Sequence, residues 1–244
     1  MQDIFQKATE LRNQGQSLKA AEEYLRISQL PEVGARKGEA LHMAAVSKSQ
    51  SGQHEGLDQL FKQAKEFYKN DKPNLARVLR DEGIFKLNKQ EFESAKKLLQ
   101  ESSEFLQNSD VGELAMSQSK LAVVLAKLKQ ESEAQELCYQ AIQSANKSSN
   151  SFYVATAYAD AGRVFFILQK PEFMPDCLLA ALGALSLESD PHTKRKAELY
   201  LGLNWAYKRI NNLDLARKAE SLANQNLQQL DEPTAERIRG FFKD

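Results

Sequence analysis

The chain is poor in the residues that break helices and in those that build disulfide frameworks. Its 244 residues include 11 glycines, 6 prolines and 2 cysteines. Cys138 and Cys177 lie in different segments without C-x-x-C spacing, which excludes a disulfide framework and a zinc site of the usual spacing. Both thiols are expected in second-helix packing positions, where a free cysteine is buried and inert.

Long apolar runs and excess charge are missing as well. The N-terminus has an acid, Asp3, where a secretory signal has basic residues, and the apolar run 164–168 is far shorter than the roughly 18 residues of a membrane span. Lys plus Arg number 33 and Asp plus Glu number 33, whereas nucleic-acid binding depends on excess positive charge. These features predict a cytoplasmic protein that binds neither membranes nor nucleic acid.

Residues arranged for catalysis are also lacking. The three histidines, His42, His54 and His192, have no second histidine, cysteine or paired acid at a helical ligand spacing. No G-x-S-x-G, H-E-x-x-H, G-x-G-x-x-G or G-K-[ST] segment occurs. The sequence therefore predicts no enzymatic activity, no cofactor and no metal.

What the chain does contain is helix-forming residues with a regular spacing of small ones. Ala, Leu, Lys, Gln and Glu dominate, which favours helices throughout. A small residue in one helix is followed by a second in the next helix, in the pairs Ala8/Ala20, Ala45/Leu57, Gly83/Ala95, Ala122/Ala134, Gly162/Cys177 and Asn204/Ala216. Five of the six gaps are 12 residues, and 177 − 162 = 15 is the exception. Small side chains let two antiparallel helices approach closely, so the pattern predicts six helical hairpins.

Further positions support this interpretation. A third series, seven residues after each second member, reads Ile27, Ala64, Ser102, Ala141, Ala184 and Ala223. Turn-prone segments separate the paired helices at 13–16, 50–53, 88–90, 129–131, 170–171 and 211–212. Pro31, Pro73, Pro191 and Pro233 lie near hairpin boundaries, as do the N-cap residue types of 108–110 and 148–151. The spacing of first members grows from 37 to 42 residues, which predicts later helices about one turn longer.

These residues carry a resemblance to a known family. The stretch Ala8-x-x-Leu11-x-x-x-Gly15, followed by Ala20-x-x-x-Tyr24-x-x-Ile27, resembles the tetratricopeptide repeat, which places small, aromatic and small residues at such offsets. The same phase recurs from Gly83, Ala122, Gly162 and Tyr200, so the resemblance covers nearly the whole chain. The unit here is longer than the family's usual 34 residues.

The resemblance implies an all-α fold, a right-handed α-solenoid of about six antiparallel helical hairpins plus a C-terminal capping helix. It implies one domain over residues 1–244. The expected repeats are 1–31, 32–70, 71–108, 109–149, 150–190 and 191–231, with the capping helix at 232–243.

The family's concave positions, projected onto the first helices, imply a groove for a peptide or helical segment of another protein. Its predicted partner-binding residues combine basic and apolar side chains: Arg77, Arg80, Ile84, Leu87, Asn88, Lys120, Val123, Lys127, Arg163 and Phe166. Such a lining suits a segment that alternates acidic and apolar residues, although a solvated charged face explains the same cations equally well.

Other functions stay open at this point. The basic and amide residues with which some tetratricopeptide domains clamp the terminal carboxylate of a chaperone have only Arg77 as a match, which disfavours that role. A peptide-responsive sensor is one alternative to a scaffold or adaptor. Self-assembly through Phe241 and Phe242 on the capping helix is another, so a homo-oligomer is possible but not indicated.

Overall fold

The computed structural model describes residues 2–188 and 192–242, and these residues form thirteen α-helices without a strand. The chain divides into two compact units, Met1–Ser109 and Asp110–Asp244. Six pairs of consecutive helices and one further helix make up the fold, which confirms the all-α prediction of about six hairpins with a capping helix. The assignment of residues 1–244 to a single domain stays a prediction.

The first unit contains three helical hairpins joined by short turns. Its helices are α1 (Gln2–Asn13), α2 (Ser17–Ser28), α3 (Lys37–Gln50), α4 (Leu57–Phe67), α5 (Lys72–Asn88) and α6 (Phe92–Leu106). A 3-10 segment, Pro31–Arg36, connects α2 to α3. Asp71 caps α5 by accepting a hydrogen bond from the backbone N–H of Asn74.

The second unit contains three more hairpins and the extra helix. Its helices are α7 (Val111–Lys127), α8 (Glu131–Ser148), α9 (Ser151–Ile167), α10 (Met174–Leu185), α11 (Thr193–Arg209), α12 (Leu213–Leu227) and α13 (Glu232–Gly240). Asp110 and Asn150 cap α7 and α9 with their side chains, as their residue types predict. The predicted repeat boundary at 190/191, including Pro191, lies outside the described residues.

Each hairpin turn contains one residue in the left-handed conformation, always seven positions after the small residue of the first helix. Their φ values lie between 57° and 78° at Gly15, Gly52, Gln90, Lys129, Gln169 and Asn211. In five of the six turns, the next backbone N–H donates to the carbonyl five residues earlier, as when Gln130 donates to Leu125. This is the Schellman arrangement, which ends a helix sharply and sets the start of the next one.

The constant position of the left-handed residue suggests that the fifth predicted pair, Gly162/Cys177, has the same spacing as the others, and the packing around Gly162 corrects it. A Cβ added at Gly162 would lie 2.5 Å from Leu178 Cδ2 but 3.9 Å from Cys177 Cβ, just as one at Gly83 would lie 2.8 Å from Leu99 Cγ. Leu99 is four residues after Ala95, so Met174 is the equivalent of Ala95 in α10. The fifth gap is therefore 174 − 162 = 12, like the others, and pairing Gly162 with Cys177 was wrong. The 3-10 segment Pro171–Phe173 replaces the first turn of the second helix in this hairpin.

With this correction the second helices bury one recurring stripe. Residues at offsets 0, 4, 7 and 11 are buried in three of them: Ala95, Leu99, Ser102 and Leu106 in α6; Ala134, Cys138, Ala141 and Ala145 in α8; Met174, Leu178, Ala181 and Leu185 in α10. Ala181 therefore replaces Ala184 in the third series. Asn204, although not small, fits its first-helix position because its Nδ2 donates to the Ala216 carbonyl oxygen at 2.9 Å.

The predicted lengthening holds for the first helices alone. They contain 12, 14, 17, 17, 17 and 17 residues in chain order. The second helices do not follow, since α10 has only 12 residues after the 3-10 segment. Among the helices described, none combines the length and apolarity needed to cross a membrane.

The helix α13 covers the last hairpin, as predicted for a capping helix. Ala235 and Ile238 of α13 are buried against Ala197 of α11 and Leu227 of α12. Asp231 caps α13 by accepting a hydrogen bond from the Thr234 backbone N–H. The apolar ends of α11 and α12 are thereby removed from solvent.

Two glycines in the fifth hairpin test the corrected pairing. The Gly162→Ala substitution places a methyl group against the buried Leu178, so we expect it to lower the free energy of unfolding by about 1–3 kcal/mol. Gly183 has open space around its Cα, and Gly183→Ala should stabilise the chain by about 0.5–1 kcal/mol through the better helix propensity of alanine. Urea denaturation of both variants checks this, and equal effects of the two substitutions would contradict the pairing.

Candidate functional site

The predicted groove residues of the first unit all lie on α5, and the structure separates them into two groups. Arg77 and Ile84 are half-buried and Asn88 is exposed, so a partner can reach them. Arg80 and Leu87 are only 7% and 5% exposed. Both lie on the same helical stripe as Gly83, which faces α6, so the fold buries them on the packed side of α5.

Arg80 belongs instead to a buried polar cluster that joins α3 to α5. Its Nε donates to Asp81 Oδ1 at 3.0 Å, and His42 Nε2 lies 2.9 Å from Asp81 Oδ2. Burial opposes ionisation of Asp81, but the charge of Arg80 and the hydrogen bonds from His42 and Arg80 hold the pKa of this carboxyl well below its usual range. His42 therefore lies in the site as a structural contact rather than as an open lining residue.

A second carboxylate takes the same place in the second unit. Asp160 of α9 accepts hydrogen bonds from Ser119 Oγ and Lys120 Nζ of α7, each at 2.8 Å. Asp81 and Asp160 both come two residues before the glycine of their first helix, 83 − 81 = 2 and 162 − 160 = 2. Their partners His42 and Ser119 both come three residues before the small residue of the preceding first helix. Equivalent positions therefore join neighbouring first helices in both units.

The two carboxylates change which predicted cations can meet a partner. Lys120 is held by Asp160, and Arg80 by Asp81, so neither charge is available without breaking an internal ion pair. Arg77, Lys127 and Arg163 are the remaining predicted cations, and Lys127 is exposed. Sequence reasoning missed Asp81 and Asp160 as groove residues, although their shared position before a glycine was a signal that could have identified them.

The apolar groove residues of the second unit also divide. Val123 is fully buried because α7 packs against both α8 and α9, so it is not on the surface that a partner could reach. Phe166 is half-buried on α9, and its ring centroid lies 4.7 Å from that of Trp205 on α11 and 5.4 Å from that of Phe242. These three rings pack against one another, and we call them the aromatic cluster.

Next in the chain to the aromatic cluster's Phe242 is Phe241, and the guanidinium of Arg163 lies 5.7 Å from the Phe241 ring centroid. Phe241 is 61% exposed, whereas Phe242 is half-buried against the core of the second unit. Phe242 is therefore not an open surface for self-assembly, because the chain's own helices already cover it.

Within the described residues, no three His, Cys, Asp or Glu side chains are grouped as a metal ion requires.

The two cysteines have the character of packing residues. Cys138 is buried in α8 and Cys177 is half-buried in α10. Burial raises the pKa of Cys138 to about 12 and that of Cys177 to about 11, with nearby negative charge adding to the effect. At neutral pH both remain thiols, which are poor nucleophiles.

The low pKa of Asp81 predicts an acid-sensitive fold. A carboxyl whose pKa is depressed in the folded state stabilises that state above its ordinary pKa of about 4, and the contribution is lost as the pH falls through the folded value. We expect Asp81→Asn to lower the free energy of unfolding by about 1–3 kcal/mol at neutral pH and to flatten its decline below about pH 4. Chemical denaturation across pH measures both effects. Asp214→Asn, at a side chain 90% exposed, is the control and should leave the profile unchanged.

The raised thiol pKa values predict slow modification of the native chain. We expect neither cysteine to react with Ellman's reagent on the minute timescale at neutral pH, and both to react at once in denaturant. Absorbance at the wavelength of the released anion gives the number of reacted thiols. Rapid release of one equivalent from the native chain would contradict the packing role, and Cys177→Ser identifies which thiol is responsible.

Similar folds occur among solved structures. BtubC from P. vanneervenii aligns with a TM-score of 0.65 and 14% identity over 98% of this chain and 91% of its own, and PilF of Pseudomonas aeruginosa aligns with 0.60 and 15% over 98% and 96%. The TPR-like repeats of a kinesin light chain candidate from Podosopora anserina align with 0.57 and 15% over 78% and 97%. No protein-family model matches the chain, and no curated protein matches its sequence. The helical hairpins of this chain therefore have a tetratricopeptide-like fold.

Proposed function

We propose that this chain is a non-enzymatic scaffold or adaptor that holds a peptide or helical segment of another protein against its first helices. The observation that carries the proposal is the mixed surface these helices present in each unit. Arg77, Ile84 and Asn88 are accessible on α5, and Arg163 and Phe166 are accessible on α9. Basic and apolar side chains at one face provide charge-assisted contacts and apolar anchors together.

The charges favour a partner segment with acidic residues. Lys127 and Arg163 lie outside the ion pairs that hold Arg80 and Lys120, so they are the cations proposed to meet a partner in the second unit, and Arg77 is the proposed cation in the first. Apolar anchors beside them, Ile84 in one unit and Phe166 in the other, suit a segment that alternates acidic and apolar residues. We also propose a cytoplasmic location, since two free thiols, one buried and one half-buried, fit a reducing compartment.

The alternatives have weaker support. Self-assembly through Phe241 and Phe242 has one of its two rings already packed inside the chain. A sensor requires a second conformation of the helices, and none of the contacts described for residues 2–188 and 192–242 points to one.

Charge reversal on the first helices tests the proposal. We expect Lys127→Glu with Arg163→Glu, and separately Arg77→Glu with Asn88→Glu, to reduce capture of partner proteins about tenfold or more, since each replaces an attraction with a repulsion. Affinity capture from a lysate of the organism that encodes the chain, with isotope-based quantification, measures the loss.

The matched control reverses two exposed cations on second helices, Lys147→Glu with Lys218→Glu, so that the total charge change of the first variant is the same. Proteins that bind the first helices should be lost from the groove variants and retained by this control. If all three variants and the parent chain capture the same proteins in the same amounts, the proposed surface is wrong.

A further inference from the structure

The helix α10 differs from the other second helices in having almost no charge. Asp176 is the one charged residue of α10, whereas α2, α4, α6, α8 and α12 each have four or five. The segment 177–187 contains no charged residue at all. The side of a surface helix that meets water is ordinarily polar or charged, so α10 departs from what its place in the hairpin requires.

The exposed side of α10 is apolar as well as nearly uncharged. Leu179 is 49% exposed, and Leu187, just beyond the C-terminal end of the helix, is 79% exposed. Four exposed residues, three or four positions apart, form one stripe that we call the outer face of α10: Asp176, Leu179, Gly183 and Ser186. Nothing in this stripe beyond Asp176 attracts a charged partner.

Gly183 leaves an open depression on the outer face. A Cβ added there would lie within 4 Å of no described atom, whereas one added at Gly162 would lie 2.5 Å from Leu178 Cδ2. The equivalent positions of three other second helices, nine residues after the first buried residue, have exposed polar side chains: Glu104, Gln143 and Gln225. Glycine within a helix is less stable than alanine, and no contact inside the described chain compensates for Gly183.

The outer face is complementary to itself. Leu179 and Gly183 are four residues apart on one side of the helix. Two copies of α10, placed antiparallel about a two-fold axis beside Ala181, therefore bring Leu179 of each copy onto Gly183 of the other. A residue without a side chain at a helix contact lets the two helices approach closely.

The same arrangement is compatible with the charges around the outer face. Asp176 of each copy comes to lie opposite Ser186 of the other, and the two Asp176 carboxylates are about 15 Å apart along the helices. On α12, Asp214 already pairs with Arg217 of its own helix at 2.6 Å. The remaining exposed charges of α8 and α12 lie to the sides of α10, where water and salt screen them. Shape and apolar contact therefore select the occupant.

We propose that α10 is a dimerisation helix, through which two copies of this chain pair antiparallel with Leu179 of each copy in the depression at Gly183 of the other. This contact involves neither the first helices nor Phe241 and Phe242, so it leaves the surface of the proposed function open. One helix pair buries less than the roughly 1,200–2,000 Å² of a standard stable interface, so we expect a reversible dimer with a micromolar dissociation constant.

Sedimentation velocity of the parent chain, from about 1 μM to about 300 μM, tests the dimer. We expect monomer at the low end and an increasing dimer fraction at the high end. Leu179→Glu places a charge in the contact, and Gly183→Leu fills the depression. Each should raise the dissociation constant about tenfold or more. Because the space around Gly183 is open, Gly183→Leu should remain folded, and circular dichroism checks this for both variants.

The matched control is Gln100→Glu, which adds the same charge at the equivalent exposed position of α6, five residues after Ala95. Its association should equal that of the parent chain. A parent chain that stays monomeric at every concentration would overturn the inference. So would a dimer that Leu179→Glu leaves intact, or one that Gln100→Glu weakens as much as Leu179→Glu does.

A mixture of two variants tests the antiparallel arrangement. When Leu179→Glu meets Gly183→Lys, the introduced glutamate faces the introduced lysine in one half of the contact, and Leu179 faces Gly183 in the other half. We expect the mixture to form dimers at concentrations at which each variant alone is monomeric. If the mixture associates no more than the separate variants do, the proposed pairing of Leu179 with Gly183 is wrong.

Discussion

Each hairpin depends on the close approach of two antiparallel helices at one position. A first-helix residue of small size, or Asn204 with its hydrogen bond to the facing backbone, lets the second helix pack directly against it. The distance along the chain from that contact to the second helix is constant, because a left-handed residue ends every first helix at the same offset. The position of the turn and the position of the helix contact are therefore linked, and together they fix which residues of the second helix are buried.

Buried polar side chains on the first helices mainly join neighbouring repeats. Asp81 and Asp160 accept hydrogen bonds from the preceding first helix of their unit, at equivalent positions. A buried carboxylate is stable only when hydrogen-bond donors or cations surround it. Asp81 therefore pairs with Arg80 in one unit, and Asp160 pairs with Lys120 in the other. The surface that we propose binds a partner consists of the first-helix side chains outside these internal ion pairs.

The second unit departs from this pattern at its last first helix. Gly202 and Ala159 cannot form the polar link, and aromatic side chains take over the contact between α9 and α11. The segment after α13 supplies the third ring of the aromatic cluster, so the capping helix and this ring come from the same piece of chain. Covering an apolar surface from within the chain keeps it out of water.

Residue size and spacing predicted the helical hairpins and their turns, because helix contact and chain reversal are local and repeat with the sequence, and the family resemblance added the capping helix. The fifth pairing was misassigned because Pro171 and Pro175 obscured a 3-10 segment whose length the letters do not reveal. Of the predicted groove residues, Arg77, Ile84, Asn88, Lys127, Arg163 and Phe166 are accessible, while Arg80, Leu87, Lys120 and Val123 are buried or internally paired. Only the tertiary structure decided this, since the charge that neutralises Lys120 lies 40 residues away and the ring that covers Phe166 lies 76 residues away, and one-dimensional spacing carries no record of such contacts.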